Sequence, residues 1–275
     1  MAELKIGLQL YSVRDKMMEN MEETLKKVKE IGYDYVEFAG YFDKSAEEIR
    51  ALLDKYGLEC ISVHQGLEFY TQKGVEACEF IKKLGAKYSA IPWYELKNFN
   101  ENWNETVELF SKTGKLLKDN GLEMLYHNHD FEFQKINGKC ILDKIYSEVP
   151  SQYLNPEFDV CWIKYAGYDP CEYIKNYADR INVVHFKDFK CKQLASGPAY
   201  ALIDENGNEI PKDHKQDNEF RFQPVGYGMQ NMKEIIDATI AASVEYAIVE
   251  QDNSNELDSL EAAKISREFL KSLGY

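Results

Sequence analysis

A chain of 275 residues with 44% hydrophobic and 13% aromatic residues can bury a large core, which excludes the low-hydrophobicity signature of disorder. Its 33 Lys plus Arg against 47 Asp plus Glu leave a formal charge of −14, which repels phosphate backbones and anionic lipid, so neither nucleic acid nor a membrane is an expected partner. The length fits one eight-unit barrel of roughly 250 residues or two small domains, and does not choose between them.

The N-terminus, Met1 to Gly7, lacks a charged-then-apolar leader pattern, and no stretch approaches the roughly 18 apolar residues of a membrane span. A cytoplasmic protein is expected. Cys60, Cys78, Cys140, Cys161, Cys171 and Cys191 form no close pairs of the zinc-ribbon kind, so reduced thiols are expected.

The chain opens on an apolar strand, Ile6 to Leu10, and then repeats one unit: an amphipathic helix, a glycine that stops it, and a short apolar strand ending in a polar residue. Met21, Leu25 and Val28 mark a helical face before Gly32 and the strand Tyr35 to Phe38. Ile49, Leu52 and Leu53 precede Gly57 and the strand Cys60 to His64. Phe80, Ile81 and Leu84 precede Gly85 and Tyr88 to Ile91, and the helix Leu109 to Leu117 precedes Gly121 and Leu122 to His127. Three further strands are expected at Tyr153 to Asp159, Ile181 to Phe186 and Tyr246 to Glu250, with helices at Leu142 to Ser147, Pro170 to Tyr177, Met232 to Ala242 and Ser259 to Leu270. Eight alternating units imply parallel strands and closure, so the expected fold is α/β, a single-domain (β/α)8 barrel spanning residues 1–275. The rhythm breaks at Lys190 to Gly228, a long polar loop after strand seven expected to act as a lid, a partner contact or simple decoration over the site.

Barrels of this kind build their sites at the C-terminal strand ends. Strand two offers Glu37, strand three His64, strand five runs into His127, Asn128, His129, Asp130 and Glu132, and strands six, seven and eight end on Asp159, His185 and Glu250. Each alone has a plain explanation as a cap, a core histidine or a surface acid; their joint placement at one end points to chemistry. Glu132, Asp159, His185 and Glu250 would make an oxygen-dominated site for one divalent ion, Mn²⁺ first, with Mg²⁺, Co²⁺ or Zn²⁺ as alternatives. Such an ion acidifies the proton beside a bound carbonyl, and Glu132 and Glu250 would move that proton. Lys187 is a candidate to stabilise an enolate, and Trp162 a candidate to stack on a sugar ring. His64, Glu37, Tyr11 and Gln251 are expected as pocket lining. Gly226 and Gly228 form a G-x-G that no strand directly precedes, which argues against a phosphate cradle.

The segments Gln9-Leu-Tyr-Ser-Val-Arg14, His127-Asn-His-Asp-Phe-Glu-Phe133, Phe158-Asp-Val-Cys-Trp162, Val184-His-Phe-Lys-Asp188, Val225-Gly-Tyr-Gly228 and Val249-Glu-Gln251 resemble the sugar phosphate isomerase/epimerase family of xylose-isomerase-like barrels. The resemblance covers nearly the whole chain. It implies a Glu-Asp-His-Glu metal site whose two glutamates form the acid/base pair of ketose epimerases. Asp159, His185 and Glu250 match that pattern; strand five carries Tyr126 and His127 where the first glutamate belongs. Glu132 could fold back to fill the position, preserving charge balance, or His127 or His129 could ligate instead.

The leading expectation is therefore a metal-dependent sugar isomerase or epimerase acting on a small sugar or sugar derivative, as a homo-oligomer or with a hetero-partner. If His129 rather than a glutamate faces the substrate, lyase or dehydratase chemistry on a keto-sugar, keto-glycoside or cyclitol is equally natural, since inosose dehydratases and keto-C-glycoside-cleaving subunits are similar. The endonuclease IV family is similar in fold, but its multi-zinc site and basic face do not suit five histidines and a charge of −14. A non-catalytic assembly subunit is a further reading, kept open by the loop after strand seven.

Overall fold

The computed structural model describes residues 4–195, 218–254 and 256–275. Eight parallel strands close into a barrel: Lys5–Gln9, Tyr35–Ala39, Glu59–His64, Tyr88–Ile91, Glu123–His127, Asn155–Asp159, Val183–Phe186 and Tyr246–Val249, here barrel strands one to eight. Each strand pairs with its neighbours in sequence, and strand one meets strand eight from Lys5 opposite Tyr246 to Leu8 opposite Val249. These are the eight strands expected from the sequence, with ends shifted slightly; Leu10 leaves strand one for a short 3-10 turn, Leu10–Val13.

Local chemistry accounts for the helix ends. Ser45 accepts the backbone N–H of Glu48 while the Glu48 carboxylate accepts that of Ser45, a reciprocal cap that starts the helix Ala46–Tyr56. That helix stops at Gly57, whose φ of 66° is the left-handed conformation that a side chain resists.

Successive side chains of a strand point to opposite faces, which divides the core in two. Val36, Phe38, Tyr126, Phe158, Val184, Phe186 and Val249 pack outward beneath the helices. Tyr88, Ala90, Leu125, Val183, Tyr246 and Ile248 point inward and, with Ile61, plug the N-terminal part of the barrel. Two residues further along the same inward rows the composition turns polar: Leu125 is followed by His127, Val183 by His185 and Ile248 by Glu250. The site follows from this change of chemistry along one parity.

The described ends of the expected 190–228 loop carry structure. Asp188–Lys190 pairs antiparallel with Arg221–Gln223, whereas residues 196–217 of that loop lie outside the described residues. Asp188, fully buried, accepts backbone N–H groups from Gly226 at 3.1 Å, Gly228 at 2.9 Å and Phe189 at 2.9 Å. The G-x-G thus wraps a carboxylate of its own chain. A Cβ on Gly228 would collide with the Asp188 carboxylate and the Phe189 carbonyl. Gly228→Ala is accordingly expected to lose about 1–3 kcal/mol in a urea melt; an unchanged midpoint would show that the clamp yields freely. Among the described residues all six cysteines are free, and no helix is long and apolar enough to cross a membrane.

Candidate metal centre

At the C-terminal mouth, donor atoms of His127, Asp159, His185 and Glu250 lie within 4.8 Å of one another, and all four residues are buried. Asp159 ends strand six and caps the helix Val160–Tyr165: its Oδ1 accepts the N–H groups of Cys161 at 2.8 Å and Trp162 at 3.1 Å. Those bonds fix the carboxylate and leave Oδ2 toward the cluster, 3.4 Å from His127 Nε2. His127 Nε2 is also 3.5 Å from Glu250 Oε2, and His185 Nδ1 is 3.0 Å from the same oxygen. Neither ring nitrogen of His127 nor Asp159 Oδ2 makes a well-aligned hydrogen bond, although all three atoms are buried and the Lys187 ammonium stands 3.3 Å from that oxygen. Buried polar atoms are nearly always satisfied, so a convergent set of such atoms fits a cation that the donors would share. Two imidazoles and two carboxylates suit Mn²⁺, Co²⁺ or Zn²⁺.

Beneath the mouth, His185 Nε2 lies 2.7 Å from Glu37 Oε2, which also accepts Gln9 Nε2 at 2.8 Å. His64 Nε2 is 2.8 Å from Glu157 Oε2 and 3.3 Å from Glu37 Oε2. Lys187 is buried beside the mouth, its Nζ 2.6 Å from Asp252, 3.0 Å from Glu250 and 3.3 Å from Asp159, with Trp162 at 5.2 Å from the ammonium.

The structure brings Asp159, His185 and Glu250 together as expected, with Glu37, His64 and Lys187 around them. The fourth member of the cluster is His127. Glu132 is placed elsewhere: its carboxylate accepts the Tyr126 hydroxyl at 2.6 Å and the His129 backbone N–H at 2.8 Å. Tyr126 has outward parity, its ring packed on Phe99 and Phe110, so this bond holds Glu132 away from the inner face. His129 stands one step above His127, their ring centroids 5.2 Å apart, and packs against Trp93 and Phe131. Trp162 is buried and stacked on Phe220, a packing position. Tyr11 is on the rim under the Arg14 guanidinium, and Gln251 donates to the Asn253 carbonyl at 3.0 Å. Gln9, Glu157 and Asp252 were not singled out from the sequence. Parity carried the signal for two of them: Glu157 shares the inward row of Asp159, and Asp252 that of Glu250.

Burial lowers the affinity of His127 for a proton, but Asp159 and Glu250 outweigh it and raise its pKa to about 9. Burial opposes ionisation of Glu250 as well; Lys187 foremost, then His127 and His185, hold its pKa well below the carboxylate range. Burial pushes His129 well below the usual imidazole value, so its ring is neutral. Burial also raises Glu132 from the ordinary 4.5 to about 8. A folded-state pKa above the unfolded one gives stability that is complete below about 4.5 and lost as pH rises toward 8. Glu132→Gln should therefore flatten the decline of melting temperature across that window; a decline equal to wild type would assign it to other groups.

The closed eight-stranded barrel and its polar mouth define a (β/α)8 barrel with a candidate metal centre at the C-terminal strand ends. The chain belongs to the xylose isomerase-like TIM barrel family, whose pattern matches residues 25–273. It is 23% identical over 193 residues to an inosose dehydratase of Geobacillus kaustophilus, a match spanning 62% of this chain and 62% of that one. An inosose dehydratase of Clostridium perfringens is 23% identical over 261 residues, covering 82% of this chain and 86% of the relative. A sugar phosphate isomerase/epimerase from Parabacteroides distasonis has a similar structure, with a TM-score of 0.76 and 19% identity over 99% of this chain and 95% of that one.

Proposed function

We propose that the chain is a metal-dependent lyase that removes the proton beside the carbonyl of a small keto-cyclitol or keto-sugar and expels the hydroxyl on the next carbon. The observation that carries this reading is the position of His127 where two-base epimerisation needs a carboxylate, with Glu132 held away by Tyr126. Epimerisation takes a proton from one face and returns one to the other. Among the described residues the carboxylates of the donor cluster are Glu250 and Asp159, and Asp159 is fixed as a helix cap. The relatives named inosose dehydratase support elimination on a cyclitol ketone.

A divalent ion bound by His127, Asp159, His185 and Glu250 would polarise the substrate carbonyl and stabilise charge on its oxygen. The neutral ring of His129 accepts the proton from the carbon beside the carbonyl. As the C=C bond forms and the adjacent C–O bond breaks, the same ring returns its proton to the departing hydroxide, which leaves as water. Lys187, oriented by Asp252 and Glu250, supplies a positive charge at the mouth for the developing oxyanion.

The test is incubation with Mn²⁺ in D₂O with inosose, with 3-keto-glucosides and with simple ketoses. Formation of an unsaturated ketone with loss of water supports the reading. Deuterium entering ketoses with inversion, and no unsaturated product, would overturn it in favour of epimerisation. His129→Ala should lower kcat about 10²- to 10⁴-fold while metal content stays constant; an unaltered rate would remove His129 from the mechanism.

A further inference from the structure

We propose that Glu37, His64 and Glu157, with Nε2 of His185, form a second divalent-cation site one layer below the mouth. The inference stands apart from the lyase reading, because it rests on donor geometry and charge in the barrel interior.

The four donors surround one point. His185 Nε2 to Glu37 Oε2 is 2.7 Å, His64 Nε2 to Glu157 Oε2 is 2.8 Å, His64 Nε2 to Glu37 Oε2 is 3.3 Å and His185 Nε2 to Glu157 Oε2 is 3.5 Å. Tetrahedral zinc, with ligands at about 2.0–2.1 Å, places neighbouring donors about 3.3 Å apart, within this spread. The two imidazole planes lie 5° apart with centroids 5.2 Å apart. Each carboxylate also has a buried oxygen without a hydrogen-bond partner, Glu37 Oε1 and Glu157 Oε1. Both oxygens are available to a cation.

Charge gives an independent argument. Glu37, Glu157, Asp159, Glu250 and Asp252 are buried together, and among the described residues Lys187 is the ammonium paired with them. With the imidazoles deprotonated, as metal binding requires, five carboxylates against one ammonium leave an excess of four negative charges in a low-dielectric interior, which bound cations would offset. One divalent ion at the mouth neutralises half of it. A second, below, neutralises the rest.

His185 joins the two levels, with Nδ1 toward Glu250 and Nε2 toward Glu37. With Nε2 given to the lower ion, Nδ1 stays available to the mouth ion beside His127, Asp159 and Glu250, so His185 would bridge the two sites. An apolar plug that includes Leu125, Val183 and Ile248 closes the layer from below, and the His64 side chain, 7% exposed, is its side toward solvent. The lower ion is too deep to meet substrate, so its role is to fix His185 and set the charge under the mouth.

The experiment is equilibrium dialysis of the full chain against Zn²⁺ with elemental analysis, and Co²⁺ absorption spectra in parallel. Wild type should saturate at two ions per chain. Glu157→Gln and His64→Gln should each retain one, Asp159→Asn should retain the other, and Asp159→Asn/Glu157→Gln should bind none. Circular dichroism checks the fold of each variant, and His64→Gln serves if Glu157→Gln does not fold. Saturation of wild type at one ion, or two ions retained in folded Glu157→Gln, would overturn the proposal. Wild type at one ion with Asp159→Asn at none would sink the lower site and leave the mouth site intact.

Discussion

Lys187→Met is expected to cost the metal-free fold about 3–5 kcal/mol at neutral pH, because it strands buried carboxylates rather than merely deleting a contact. The ammonium is 2.6 Å from Asp252 and 3.0 Å from Glu250, and both partners are almost fully buried. Methionine keeps the length of the side chain and removes its charge, which isolates the electrostatic effect. Lys187 is foremost among the groups that hold Glu250 ionised against burial, so its loss raises the Glu250 pKa. A depressed carboxylate pKa contributes stability above the unfolded value that is lost as pH falls. The gap between wild type and variant should therefore be widest near neutrality and close in acid. Urea melts between about pH 4 and pH 8 read this directly, and Lys187→Met/Asp252→Asn should recover part of the loss. A gap independent of pH, or no recovery in the double variant, would make the effect one of packing.

Asp159 allows a cleaner separation of roles. Its Oδ1 caps the helix Val160–Tyr165 while its Oδ2 faces the cluster. Asparagine caps about as well as aspartate, whereas alanine forfeits about 1 kcal/mol. Asp159→Asn should keep melting behaviour close to wild type and weaken binding of the mouth ion more than about 100-fold, beyond the effect expected for an outer-shell change. Asp159→Ala should lose both stability and the ion. Mouth-ion affinity retained in Asp159→Asn would mean that its carboxylate is not a ligand.

How much of this was legible beforehand differs by residue. The barrel was readable because eight apolar strands alternate with glycine-stopped helices, a pattern that tertiary context did not override. Asp159, His185 and Glu250 were readable because each lies at a strand's C-terminal end with inward parity. Glu157 has the same inward parity two residues before Asp159, but a strand-end criterion selects only the terminal residue of that row. Glu132 against His127 turned on a different physical quantity. Counting charge favoured the carboxylate, but parity places His127 two residues beyond inward Leu125, and Tyr126, facing outward, captures Glu132 with its hydroxyl. A loop residue's direction depends on such a bond, which no periodicity encodes.

The clamp around Asp188 sets practical limits on redesigning this barrel. Its carboxylate ties Gly226 and Gly228 to the residue next to Lys187, and Gln230 Nε2 donates to the Lys187 carbonyl at 2.6 Å. The chain leaves and re-enters this clamp through paired strands, Asp188–Lys190 and Arg221–Gln223. A substitution at Gly226 or Gly228 disturbs this clamp and, through Asp188, the backbone that carries Lys187, so redesign of the mouth has to leave both glycines in place.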